Sequence, residues 1–118
     1  MRATTRLTMR RGDVVVIADR GAGDFGGKPR PAVVVQSELF EETGSVVVCL
    51  LTTQQTGAPL LRIPVAAGPQ TGLTSASSIA VEKITAVRRE RVGQIIGRLA
   101  DDELLALNRS LAVFLGFA

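Results

Sequence analysis

At 118 residues the chain has the length of one domain with a modest core, small enough that a second copy would help complete its burial. Hydrophobic residues make up 46% and aromatics only 3%, so the core must be aliphatic, and an RNA reader that stacks bases on an aromatic sheet is disfavoured. A net charge of +3 favours a polyanionic partner only mildly, while zero His and a single Cys exclude an imidazole catalyst and a His/Cys metal cluster.

Of the 14 Lys and Arg residues only Lys28 and Lys83 are lysines. This arginine bias fits phosphate contact, and it also follows from a GC-rich coding background. Cys49 stands alone in an apolar run, which reads as a buried small hydrophobe without a disulfide partner. No apolar segment follows the charged start of the chain, and no run approaches the length of a membrane span. A cytoplasmic, soluble protein without metal or cofactor is expected.

Residues 1–8 lack periodicity and read as a tail, leaving 9–118 as the domain. Arg10-Arg11-Gly12-Asp13 leads into a β-branched run at 14–18, a buried strand with a tight turn before it. For Asp13, bridging its own turn or pairing with an Arg is favoured over a chemical role. Residues 19–29 hold Gly21, Gly23, Gly26 and Gly27, a long loop that is either functional or simply loose.

Arg30 lies between Pro29 and Pro31, which stiffen the backbone and hold Arg30 extended at a strand start. Residues 32–36 and 45–51 are nearly unbroken apolar runs, so both faces of these strands are expected to be covered. Between them Glu38, Glu41 and Glu42 make an acidic loop that faces solvent or a partner. Paired antiparallel across that loop, the two runs bring Arg30 at the start of one beside Thr52 at the end of the other. A guanidinium and a hydroxyl at one sheet edge suit a phosphodiester, because Arg offers a planar fork of donors.

Thr52-Thr53-Gln54-Gln55 ends the second run with polar groups able to reach a phosphate or a base edge. Residues 60–65 form another strand, placed at an edge by Pro64. Residues 79–87 alternate as a strand, 88–91 form a basic turn, and 92–97 a last strand. Asp101, Asp102 and Glu103 open a helix in which Leu104, Leu107, Leu111 and Phe114 recur at helical spacing. Its apolar side, with Leu105 and Leu115, is wider than a small barrel needs, and part of it is expected to meet a second subunit.

Three of these motifs together, Arg11-Gly12-Asp13, Arg30-Pro31-Ala32-Val33-Val34-Val35 and Leu51-Thr52-Thr53-Gln54, resemble the MazF/PemK toxins of bacterial toxin–antitoxin systems. The resemblance runs from about Arg10 to the C-terminus. It implies a mainly β (α+β) fold, a small SH3-like barrel of strongly bent antiparallel strands with a C-terminal helix. Five or more short strands and one late helix independently support such a class. The resemblance further implies a homodimer that cleaves single-stranded RNA (an mRNA interferase) sequence-specifically, without metal, and is neutralised by an acidic antitoxin.

Carried over residue by residue, Arg30 neutralises charge on the reacting phosphate and Thr52 orients it. Lys28, Thr53, Gln54, Gln55 and Lys83 are the RNA-contacting candidates. Glu82 coincides with an acidic position proposed in PemK-like members to take part in acid–base chemistry. The arginine expected two residues before it is Ala80, and a strand-borne Glu paired with Arg or Lys is the favoured alternative. The loop ahead of Arg30 lacks the family's usual Ser, Glu and Gln. A CcdB-like toxin of the same fold that poisons gyrase and cuts nothing is the second reading, and a catalytically dead binding module the third.

Overall fold

Each apolar run forms a strand, and Pro64 decides which of them stands at the rim. The computed structural model describes residues 8–18, 28–54 and 60–118. These form β1 (Asp13–Ile17), β2 (Arg30–Val34), β3 (Ser45–Thr52), β4 (Arg62–Val65), β5 (Ser77–Arg88), β6 (Val92–Arg98) and one helix, α1 (Asp101–Phe114). All pairings are antiparallel, in the order β4-β5-β3-β2-β1-β6. The Pro64 strand is thus an edge strand, where a missing backbone donor is tolerated. Residues 1–7, most of the Gly-rich loop (19–27) and Gln55 lie outside the described residues.

Alternation along the strands divides their side chains between two apolar layers. On one face Val14, Val33, Cys49, Leu51 and Val81 pack with Leu107 and Leu111 of α1. On the other, Val15, Ala32, Val34, Val46 and Val48 pack with Met9, Val87 and Val92. Covering both faces is why β2 and β3 read as unbroken apolar runs rather than as alternating ones. The acidic segment between them carries a single 3₁₀ turn, Glu38–Phe40, and its three glutamates are exposed, as expected.

The sheet does not close by strand pairing into the barrel anticipated from sequence. β4 and β6 remain its two edges, and the connection after β4 crosses β6 instead. The Arg98 N–H donates to the Gln70 carbonyl at 2.8 Å. The approach needs glycine: at Gly72 (φ 76°) a Cβ would lie 2.1 Å from the Ile96 carbonyl oxygen. The helix starts where its three acidic residues implied. Ala100 at its N-cap has no side-chain acceptor, and Glu103 reaches back to the Ala100 N–H at 2.8 Å and sideways to the Ala66 N–H at 3.0 Å. Leu105, Phe114 and Leu115 stay exposed on the single chain.

Candidate phosphodiester site

The site grows from two interruptions in the ladders beside the end of β3. On one side, β2 pairs Val34 with Val48, Val33 with Cys49 and Ala32 with Leu50. The ladder stops there because Pro31 has no N–H to continue it. Extending the same register by two residues sets Arg30 beside Thr52. On the other side, the β3–β5 pairing jumps from Cys49–Ile84 to Leu51–Ile79. Residues 80–83 therefore bulge away from β3. They are taken up by the edge strand, where Ala80 faces Arg62 and the Val81 N–H donates to the Leu61 carbonyl at 3.0 Å.

Between these interruptions lies a cavity of about 530 Å³. Pro31, Leu50, Leu51 and Ala80 form its apolar wall, and Arg30, Thr52, Thr53, Gln54, Ser77 and Lys83 line it with polar groups. Two cations, three hydroxyls and an amide thus converge, and among the described residues no carboxylate lines the cavity. Arg30 is exposed and Thr52 half-buried. The Thr52 Oγ1 accepts the Gln54 N–H at 3.1 Å, which leaves its own O–H to donate into the cavity. Such a wall can hold a phosphate by charge and by directional donors together.

Five of the eight site residues named from sequence, Arg30, Thr52, Thr53, Gln54 and Lys83, meet here. Lys28 is exposed two residues ahead of Arg30 but is not on the wall, and Gln55 lies outside the described residues. Glu82 is absent from the wall as well. Its carboxylate accepts from Nη1 of Arg62 on the edge strand. That hydrogen bond holds the Glu82 carboxyl below the ordinary carboxylate range, against the opposing effect of burial and with help from the charge of Lys83. Glu82 is therefore ionised at neutral pH and carries no proton to give a leaving group. The carboxylate thus stands in the form of a base rather than an acid, with Arg62 as its partner.

Arg62 and Ser77 are site-related residues that sequence reasoning missed. Ser77 lies in an ordinary polar stretch and gave no signal. The absent arginine at position 80 was a clue to Arg62, because the residue that faces Ala80 across the β4–β5 ladder is itself an arginine. Cys49, by contrast, is fully buried, and burial pushes its thiol up to about 11 despite the nearby charge of Arg11. It is a packing residue, not a nucleophile.

Residues 10–115 match the family described as PemK-like, MazF-like toxins of type II toxin–antitoxin systems. The chain belongs to this family. A relative from Mycolicibacterium smegmatis, named probable endoribonuclease MazF, is 46% identical over 110 residues, covering 93% of this chain and 99% of the relative. Among solved structures, MazF of Deinococcus radiodurans aligns with a TM-score of 0.74 at 20% identity, over 93% of this chain and 98% of that one. A mycobacterial endoribonuclease in complex with its cognate antitoxin aligns at 0.72 and 25% identity, over 93% and 97%. The open sheet with its C-terminal helix is thus a MazF-like fold. Among the described residues of this MazF-like chain, no helix is long and apolar enough to cross a membrane.

Proposed function

We propose that the chain is a sequence-specific endoribonuclease that cuts single-stranded RNA at the cavity beside the end of β3 and thereby arrests translation and growth. The observation that carries this reading is the meeting of Arg30 and Thr52, from separate strands, on one cationic cavity wall. The family match and the endoribonuclease name of the 46% identical relative favour it over the gyrase-poisoning alternative.

In the proposed reaction the RNA 2′-oxygen attacks the adjacent phosphorus, and the bond from phosphorus to the 5′-oxygen breaks. The products are a 2′,3′-cyclic phosphate and a 5′-hydroxyl. Arg30 stabilises the negative charge that builds on the phosphorane oxygens, the kind of preorganised donor that dominates many such barriers. Thr52 donates to a non-bridging oxygen and fixes the phosphate in line for attack. An ordinary arginine is a poor general base, so Arg30 acts through its charge and its donors. Because the sequence has no His and Glu82 is tied up off the wall, a substrate phosphate oxygen takes up the 2′-hydroxyl proton and passes it to the leaving 5′-oxygen as the phosphorus–oxygen bond breaks. Lys83, Thr53 and Gln54 hold flanking nucleotides, and Lys28 and Gln55 extend that contact along the strand.

The chain acts as a homodimer in this reading, with Leu105, Phe114 and Leu115 as surface for a second copy to cover. An acidic antitoxin competes for the cationic cavity, and the place of action is the cytoplasm, where mRNA is found. Incubating the purified protein with cellular RNA and mapping new 5′ ends tests the reading. Discrete cuts with 5′-hydroxyl ends are expected from the wild type and far fewer in the same time from Arg30→Ala. Intact RNA, together with growth arrest that survives Arg30→Ala, would overturn it.

A further inference from the structure

The bulge in β5 places an acidic and a basic residue side by side in the chain, and their separation is what the edge strand controls. Residues 80–83 have no partners on β3. Ala80 and Lys83, three residues apart, both line the cavity, so the bulge breaks the simple alternation of an ordinary strand. Lys83 lines the cavity and Glu82 does not, being held instead by Arg62. The main-chain tie at this point is the Val81 N–H to Leu61 carbonyl bond, and the side-chain tie is Arg62 to Glu82.

We propose that Arg62 is a positioning residue for the cavity: by holding the Glu82 carboxylate off the wall, it keeps Lys83 on the wall and available to a phosphate. The arrangement costs stability, because Arg62 is largely buried and its Nε–H has no hydrogen-bond partner. What it supplies is orientation. Released from Arg62, the Glu82 carboxylate becomes the counter-ion nearest to Lys83 along the chain, and an ammonium neutralised in this way no longer displaces counterions from RNA. The inference rests on the endoribonuclease reading only for what Lys83 contacts. The placement of Lys83 is testable without RNA.

The sequence offers a direct probe, since Lys28 and Lys83 are its only lysines. Reductive methylation with ¹³C-formaldehyde gives each a resolved dimethylammonium NMR signal whose pH midpoint is measured in the folded protein. In Arg62→Gln the Lys83 midpoint should rise relative to wild type as the Glu82 carboxylate turns to it, and by more than in Arg62→Gln/Glu82→Gln, where the carboxylate is lost as well. Lys28 should not move. In the double variant Arg62→Gln/Glu82→Gln the Lys83 midpoint should return to the wild-type value. Arg62→Lys, which keeps a cation beside Glu82, should also stay near wild type.

With a 2′-O-methyl oligonucleotide that cannot be cut, the slope of log affinity against log salt should fall by about 0.7 in Arg62→Gln, one phosphate contact on a single strand. It should recover in the double variant, whereas a merely structural Arg62 would lower thermal stability and leave both readouts alone. A Lys83 midpoint unchanged in folded Arg62→Gln overturns the proposal. Arg62→Met, which fills the buried space without donors, is read by the same criteria if Arg62→Gln does not fold. A wild type that neither binds nor cuts RNA would sink the proposed function but leave the lysine measurement able to decide the placement of Lys83.

Discussion

The two ends of β2 carry arginines of the same family-like appearance, and the fold uses them in opposite ways. At the Val34 end, Arg11 donates from Nε to the Val35 carbonyl at 2.8 Å and from Nη1 to the Asn108 side chain on α1. Asp13 there accepts from the Arg10 N–H at 2.7 Å and from Arg98 Nη1 at 3.0 Å, and Gly12 N–H bonds the Val34 carbonyl at 2.8 Å. Arg10, Arg11, Gly12 and Asp13 are therefore spent on tying β1, β2, β6 and the helix together. At the other end Arg30 stands exposed on the wall of a cavity with Thr52 and Lys83. An arginine beside a strand does structural or chemical work according to where the fold sets its guanidinium, against the packed helix or on the wall of an open cavity, and residue type alone does not tell which.

Substitutions at the two ends should separate cleanly. The largest expected effect is on catalysis at the open end: Arg30→Ala should lower the single-turnover cleavage rate per folded molecule about 10²–10³-fold. Thr52→Val should cost about tenfold in the same assay, the worth of one hydrogen bond made to the reacting phosphate. At the closed end the order reverses. Asp13→Ala should destabilise the fold by about 1–2 kcal/mol in denaturant titrations, chiefly because it strands the Arg10 N–H, while the partly exposed Arg98 side chain loses little, with cleavage per folded molecule unchanged.

The smallest effect belongs to the Arg62–Glu82 pair. Its carboxyl is held below the ordinary range in the folded chain, so the pair contributes stability above the unfolded-state pKa of roughly 4.3 and loses it as pH falls through the lower folded value. Wild type and Glu82→Gln should differ by less than about 1 kcal/mol at pH 7 and converge as the pH falls toward 3. A difference that persists or grows on acidification would remove the ion pair from the account.

Much of this contrast was legible before any coordinates. Antiparallel pairing of two apolar runs across the 37–44 loop was enough to bring Arg30 to Thr52, because a hairpin's register follows from where its runs begin and end. Pro64 announced an edge strand, and the acidic triplet with leucines at helical spacing announced α1. The bulge was not legible. Residues 79–87 alternate like an ordinary strand, and only their competition between β3 and β4 makes 80–83 depart. For the same reason Arg62 could not be matched to Glu82, since that pair depends on a register between strands separated by a long connection. The open sheet was hidden too, because the crossing of β6 rests on a close backbone approach at Gly72 that no hydrophobic pattern encodes.

The most direct measurement is a crystal structure of this chain bound to a 2′-O-methyl oligonucleotide copying a segment that the wild type cuts. The account predicts a phosphate in the cavity beside β3, with non-bridging oxygens about 2.7–2.9 Å from the Arg30 guanidinium and within hydrogen-bond reach of the Thr52 hydroxyl. An oligonucleotide seated elsewhere, with Arg30 and Thr52 both away from any phosphate, would contradict it.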